Sequence, residues 1–280
     1  MNSIGISGDF LMDIGLIFLI LIFLFIIGVL SFLLLRERAE HRHRGLFGPW
    51  PIRKISPADL DPIFDKGPHG PSLASEVVFL GRGTLHVPGG TTDSETWILA
   101  TLAKNARCAF EFGTCTGKTA YLWARNMPAD GQVITLTLSP TEMKDYHPAS
   151  GDAAAALEAA REESVFNNFL YNGTIVETKI VQLYGDSKAF DETPYRDRCD
   201  LIFIDGSHAY SYVKSDTQKA LRMARPGGII LWHDYRGARR APDVFRYLNT
   251  LAQQLPLMHI AGTSLVAYRV PTTKLSSSVP

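Results

Sequence analysis

The chain has 280 residues, and 28 basic against 28 acidic side chains give a formal net charge of zero. That balance excludes the global basic field on which nucleic-acid binding would draw. Three cysteines, Cys108, Cys115 and Cys199, are an odd number beside apolar runs, which argues for small reduced core residues over a disulfide framework or a metal cage.

Ile14 to Leu35 carries no charge and is rich in Ile, Leu and Phe. As a helix it would be about 33 Å long, enough to cross the hydrocarbon core of a bilayer. A cleavable signal peptide has a basic start, a shorter apolar region and a small-residue cleavage site. Here Asp9 and Asp13 precede the run and the first basic residue is Arg36. A retained transmembrane helix over 14–35 is therefore expected, with residues 1–13 outside the cell. Arg36, Arg38, Arg42 and Arg44 crowd its exit, with His41 and His43 among them. The positive-inside rule places the chain from residue 36 onward in the cytoplasm, at the inner (plasma) membrane. Pro49, Pro51, Pro57, Pro62, Pro68 and Pro71 then disfavour a continuous helix, so 36–82 reads as a basic and then proline-rich tether.

Thr92-Asp-Ser-Glu95 has the form of a capping box opening a helix to about Asn105. Strands are expected near 107–112, 132–138, 176–183, 200–204, 229–233 and 263–269, with helical segments between them. The first of these runs into Gly113-Thr-Cys-Thr-Gly117, where glycines permit a sharp turn and close approach to a ligand. Glu111 ends that strand, a costly place for a charge without a partner. The spacing is not the dinucleotide fingerprint, and Gly117-Lys118-Thr119 lacks the earlier glycine of a phosphate loop. Asp152 to Glu163 is an alanine-rich helix former in an insertion between the second and third strands. It packs in solvent or covers the site.

Leu201 to Ile204 and Ile229 to His233 are apolar runs, each followed by an aspartate, Asp205 and Asp234. Pro226-Gly-Gly228 separates the second run from an intervening helix. Two parallel neighbours of this kind put both acids on the carboxyl rim of a sheet, where open α/β sheets bind ligands. Capping of the following helices is the other use of such acids.

These segments together resemble the class I S-adenosylmethionine-dependent methyltransferases, in particular the branch of macrocin-type O-methyltransferases and cephalosporin hydroxylase-like proteins. The resemblance runs from about Gly83 to Arg269. Its blocks are Val87-Pro-Gly-Gly-Thr91, the glycine loop, Gln182-Leu-Tyr-Gly-Asp-Ser187, Ile204-Asp-Gly-Ser-His-Ala-Tyr210, Pro226-Gly-Gly228, His233-Asp234 and Gly262-Thr-Ser264.

The resemblance implies an α/β, Rossmann-like doubly wound domain over 83–270, with a mainly parallel seven-stranded sheet and a flexible tail over 271–280. It implies S-adenosyl-L-methionine as cofactor, with Glu111, Gly113, Thr114 and Gly117 at its amino-acid and ribose end. Asp186 and Ser187 would meet the adenine edge, and Asp205 the methionine moiety or a cation. Related catechol O-methyltransferases carry a lysine base three residues after the aspartate; His208 holds that offset, as a base or as a structural hydrogen bond at a helix start. Those relatives bind Mg2+ through acids at the positions of Asp205 and Asp234, although Tyr235 stands where a further ligand would be. Thr137 occupies the place of the acid that grips the ribose hydroxyls, and a hydroxyl makes one hydrogen bond where a carboxylate accepts two. O-methyl transfer to a small or amphiphilic acceptor is the expected activity. A catalytically degenerate accessory subunit of a membrane protein complex is the alternative.

Overall fold

The computed structural model describes residues 8–41, 44–45, 48–82, 85–86 and 90–272. The chain divides into two units, one ending at Trp50 and one beginning at Pro51. Helix α1 (Gly8–His41) dominates the first, followed by a ribbon pairing Arg44–Gly45 with Gly48–Pro49. Within it, Leu16–Arg36 is long and apolar enough to cross a membrane. Large apolar side chains from Leu16 to Leu35 are exposed all round the helix, so it has no polar face. Residues 1–7 of the expected outer segment, Arg42 and His43 of the basic run, Val87–Gly89 and the tail from Thr273 lie outside the described residues.

The second unit is built on one sheet of eight strands: β1 (Arg53–Ile55), β2 (Cys108–Phe112), β3 (Gln132–Thr137), β4 (Ile180–Tyr184), β5 (Cys199–Ile204), β6 (Ala224–Trp232), β7 (Met258–Ile260) and β8 (Val266–Arg269). Their order across the sheet is β4-β3-β2-β5-β6-β8-β7-β1. Every pairing is parallel except those of β8, which runs against both β6 and β7. Helices α2 (Asp93–Ala103), α3 (Lys118–Asn126), α4 (Ala154–Glu163), α5 (Tyr210–Met223) and α6 (Pro242–Leu251) connect the strands. From β2 the chain steps outward to β3 and β4, then returns to β5 on the opposite side. The order therefore reverses between β2 and β5, and the crevice at their carboxyl ends is where such a sheet takes a ligand.

Two expectations need correction. The sheet has eight strands, not seven, because the segment read as tether contributes β1. Ile55, Leu60 and Phe64 are buried in the same core cluster as Leu99, Trp123 and Leu201. Phe64 meets Trp97 edge-on at 5.1 Å, and burying such a ring contributes about 1.5–3 kcal/mol. Arg269 fastens the segment to β8 by donating to Leu60 O and to the Asp61 carboxylate. Proline spacing did forbid a long helix there, yet a one-turn helix, Pro57–Leu60, and a short strand are compatible with it. The second correction is at the far end, where the single strand expected over 263–269 is an antiparallel pair turning at Gly262 (φ 78°).

Pro226-Gly-Gly228 does not precede β6 but lies within it, at a register shift opposite Cys199 and Leu201. A Cβ on Gly228 would stand 2.9 Å from Cys199 O, so only glycine fits. Beyond that irregularity the β5 and β6 registers coincide, Ile204 opposite Trp232, and both strands deliver their next residues to one rim.

Candidate active site

His233 leaves β6 with its backbone N–H donating to Ile204 O at 3.1 Å, so its ring lies beside Asp205. Its Nδ1 is 2.9 Å from Asp205 Oδ1 and 3.3 Å from Asp234 Oδ2, and its Nε2 is 3.4 Å from Glu95 Oε2. Asp234 is held with φ 61°, strained for a residue bearing a Cβ, which turns its carboxylate back toward the cluster. Its Oδ2 accepts from His208 Nε2 at 2.7 Å and its Oδ1 meets Arg236 Nε at 2.8 Å. Three carboxylates, Glu95, Asp205 and Asp234, thus interlock with three basic side chains, His208, His233 and Arg236.

Glu95 anchors the cluster. The capping box expected from Thr92-Asp-Ser-Glu95 forms, with Thr92 N donating to Glu95 Oε2 at 2.8 Å. Its other oxygen accepts from Ser264 N at 2.6 Å and from Ser264 Oγ at 2.8 Å. One carboxylate therefore closes α2, holds the β7–β8 loop and faces His233. Burial opposes its charge, but His233 and these donors keep it well below the usual carboxylate range.

Burial alone would lower the His233 and His208 pKa values. Asp205 and Asp234 outweigh it for His233 and raise it well above the ordinary imidazole value. Asp234, with neighbouring Glu163 and Asp205, raises His208 to about 9. The expected base is thus a proton donor to Asp234 at pH 7.

A cleft of about 520 Å³ opens beside this cluster. Of the residues expected to bind cofactor, Gly113, Thr137, Ser187 and Asp205 line it. Glu111, Thr114, Gly117 and Asp186 are not on its wall. Glu111 is buried beneath the loop, where Thr135 Oγ1 donates to it at 2.6 Å, and burial raises it to about 8, so it is a neutral acid. Thr114 is buried, within 2.7 Å of Thr135 Oγ1. Asp186 accepts from Lys188 N and from the Tyr212 hydroxyl.

The two loop glycines answer to protein packing. A Cβ on Gly113 (φ 100°) would lie 2.3 Å from Asp205 O, and one on Gly117 (φ 80°) would lie 2.8 Å from the Tyr171 ring. Lys118 donates to Thr91 O at 3.0 Å, so it is turned from any phosphate-loop role. Cys115 lines the cleft, but burial pushes its thiol up to about 11, leaving it inert.

Sequence reasoning missed Glu163. It ends α4, the insertion helix, and lines the cleft with Ala160 and Ser164. The end of this helix forms part of the cleft wall. Burial raises Glu163 to about 7, with His208 opposing and the Asp205 and Asp234 charges adding. Tyr146 was missed too; it stacks on Tyr212 at 4.6 Å and shares a 2.6 Å hydrogen bond with Ser207.

Residues 110–235 match the family model described as a methyltransferase domain. That segment is thus similar to a methyltransferase domain. No curated protein sequence matches the chain. Among solved structures, the chain is similar to the O-methyltransferase TomG of Streptomyces achromogenes, at 20% identity and TM-score 0.45, over 65% of this chain and 82% of that one. It is similar to a putative caffeoyl-CoA O-methyltransferase of Staphylococcus aureus at 16% identity and TM-score 0.47, over 66% and 86%. It is also similar to an O-methyltransferase of Bacillus cereus at 18% identity and TM-score 0.40, over 64% and 82%.

Asp205, His208 and Asp234 bring one ligand atom each within 4.8 Å of one another, a spacing and donor set that fit a divalent cation. Tyr235 takes no part, since its hydroxyl donates to Asn249 Oδ1 at 2.6 Å, away from the cluster. His208 replaces it as the third candidate ligand.

The His208–Asp234 pair makes a stability prediction. A histidine raised from its ordinary value of about 6.5 stabilises the fold fully below that pH, and the contribution is lost as pH rises through about 9. Against the parent, His208→Ala should show its largest stability deficit near pH 6, shrinking by pH 9.5, in denaturant titrations without added metal. A deficit constant across that range would show that the pair carries no charge-dependent stability.

Proposed function

We propose that this chain is a membrane-anchored S-adenosylmethionine-dependent O-methyltransferase. One observation carries the reading: Asp205, Gly206 and Ser207 form a wall shared by the large cleft and a smaller pocket lined by His208, His233 and Asp234. A donor in the first and an acceptor in the second would meet across that wall, as in-line transfer requires.

S-adenosylmethionine, when bound, would supply an electrophilic methyl group and leave as a neutral thioether, and the proton of the attacking acceptor oxygen must pass to a base. His208 holds its own proton against Asp234 at neutral pH, whereas Glu163 titrates at about 7. Glu163 is therefore the group able to take the proton, and His208 joins it only at alkaline pH. Asp205 and Asp234 would hold a divalent cation such as Mg2+, which when bound would polarise the acceptor oxygen, while His208 could join them only once deprotonated.

The apolar helix supports a single-pass anchor. Acids precede it and arginines come after it, which favours the catalytic unit in the cytoplasm, where an adenosyl cofactor is found. A site tethered to a bilayer suits an amphiphilic acceptor or a membrane-bound partner.

Calorimetry on the full-length protein in detergent should detect S-adenosylhomocysteine, weakly because Thr137 stands where a carboxylate would grip the ribose. Thr137→Asp should tighten it several-fold, since charge-assisted hydrogen bonds are about twice as strong as neutral ones. Absence of binding to both proteins would remove the enzyme and leave the accessory-subunit alternative.

Once an acceptor is found, Glu163→Gln should cut turnover about 100-fold or more near pH 7 and abolish the rise in rate around that pH. An unchanged pH–rate profile would free Glu163 of the role.

Protease added to intact spheroplasts should leave the catalytic unit whole and trim at most the segment before the helix. Digestion of the unit from outside would overturn both orientation and anchoring side.

A further inference from the structure

Asp216 lies on α5, is 1 % exposed, and lines the cleft beside Gly185 and Ser187. Its Oδ1 has no hydrogen-bond partner. Ser187 supplies a hydrogen bond to the same carboxyl, leaving the second oxygen unmet.

Nearby ammonium groups are engaged elsewhere. Lys219 donates to Lys188 O at 3.0 Å and to Phe190 O, and Lys188 donates to His147 O at 2.8 Å and to Ser211 Oγ at 2.7 Å. A buried carboxyl oxygen without a donor is costly, and it costs least where a ligand supplies the donor.

Position in the cleft indicates which part of a ligand that is. Thr137, at the end of β3, lines the cleft with Gly185 and Ser187, and on the adenosyl-cofactor reading it would face the ribose and the base would extend toward Gly185 and Ser187. Leu138 and the stacked Tyr146–Tyr212 pair give this end flat apolar walls suited to a purine. An adenine joined to ribose has one donor group, the exocyclic amine.

We propose that Asp216 is a specificity residue whose free Oδ1 accepts a hydrogen bond from the adenine amine of the cofactor. This inference rests on the adenosyl-cofactor reading above and assigns recognition of the base to a helix that no motif in the chain marks. Burial raises the Asp216 pKa to about 7, in keeping with an oxygen that no protein donor satisfies.

The test compares S-adenosylhomocysteine with its analogue bearing unsubstituted purine, which lacks only the amine, by calorimetry on the full-length protein in detergent. The parent should prefer the adenine compound by about tenfold or more. Asp216→Leu should bind both equally, while Asp216→Asn, which keeps an oxygen acceptor, should retain most of the preference. Ligand-free Asp216→Leu should melt no lower than the parent, because it removes an unpaired polar atom; Asp216→Ala serves should leucine not fit. Equal binding of the two compounds by the parent, or a preference unchanged in both apolar variants, would overturn the assignment. Failure of the parent to bind either compound would instead strike down the cofactor reading, and this inference with it.

Discussion

The structure depends on the charge chain from Glu95 through His233 to Asp205 and Asp234. Each member is costly to bury alone, and removing one partner from such a set strands the rest. In return the chain joins parts remote in sequence: the start of α2, the ends of β5 and β6, and the β7–β8 loop through Ser264. Space for the imidazole is made by a glycine, since a Cβ on Gly90 would approach His233 Cε1 to 3.3 Å. The left-handed backbone at Asp234 is held by the same contacts. A strained residue persists only where its surroundings overdetermine it, and His208, His233 and Arg236 converging on one carboxylate do that.

The glycine loop is coupled to this cluster by a close backbone approach. Gly113 packs against the main chain of Asp205 and Gly206 with no room for a methyl group. Gly113 N also donates to Leu136 O at 2.8 Å, and Asp205 N to Phe112 O at 2.9 Å. The turns after β2 and β5 and the end of β3 are therefore tied to one another through the backbone. A side chain at Gly113 would displace the acid rim as well as crowd a ligand, so such a variant cannot separate cofactor binding from acceptor chemistry.

What could be read in the sequence was local. The β2 turn, the two strands ending in acids, the capping box at Thr92 and the apolar helix each declare themselves within a few consecutive residues. Both the position of Asp205 and Asp234 on one rim and the cleft lining by Gly113, Thr137 and Ser187 follow from strand order alone. The residues that escaped owe their places to contacts across the fold. Glu95 reads as a cap, and only the return of Ser264 and His233 makes it an anchor. Glu163 reads as one acid on a helix of uncertain purpose until the end of α4 is seen to line the cleft. Strand β1 hides among prolines because three residues carry no periodicity, and its partner β7 is equally short.

The buried acids divide by partner, not by depth. Glu95 and Asp234 face imidazolium groups and stay ionised, so their work is to fix geometry. Glu111 and Asp216 are also removed from water and Glu163 is half-buried, yet burial prevails and raises them to about 7 or 8. Glu111 lies off the cleft with Thr135 as its donor, whereas Asp216 and Glu163 line the cleft wall. Divergent environments of this kind separate carboxyls that hold a site from those that act in it. On the proposed reading, a cationic sulfonium and an adenine amine entering the cleft would bring a charge and a donor to these two wall carboxyls, so that the ligand would complete the electrostatics of the cleft.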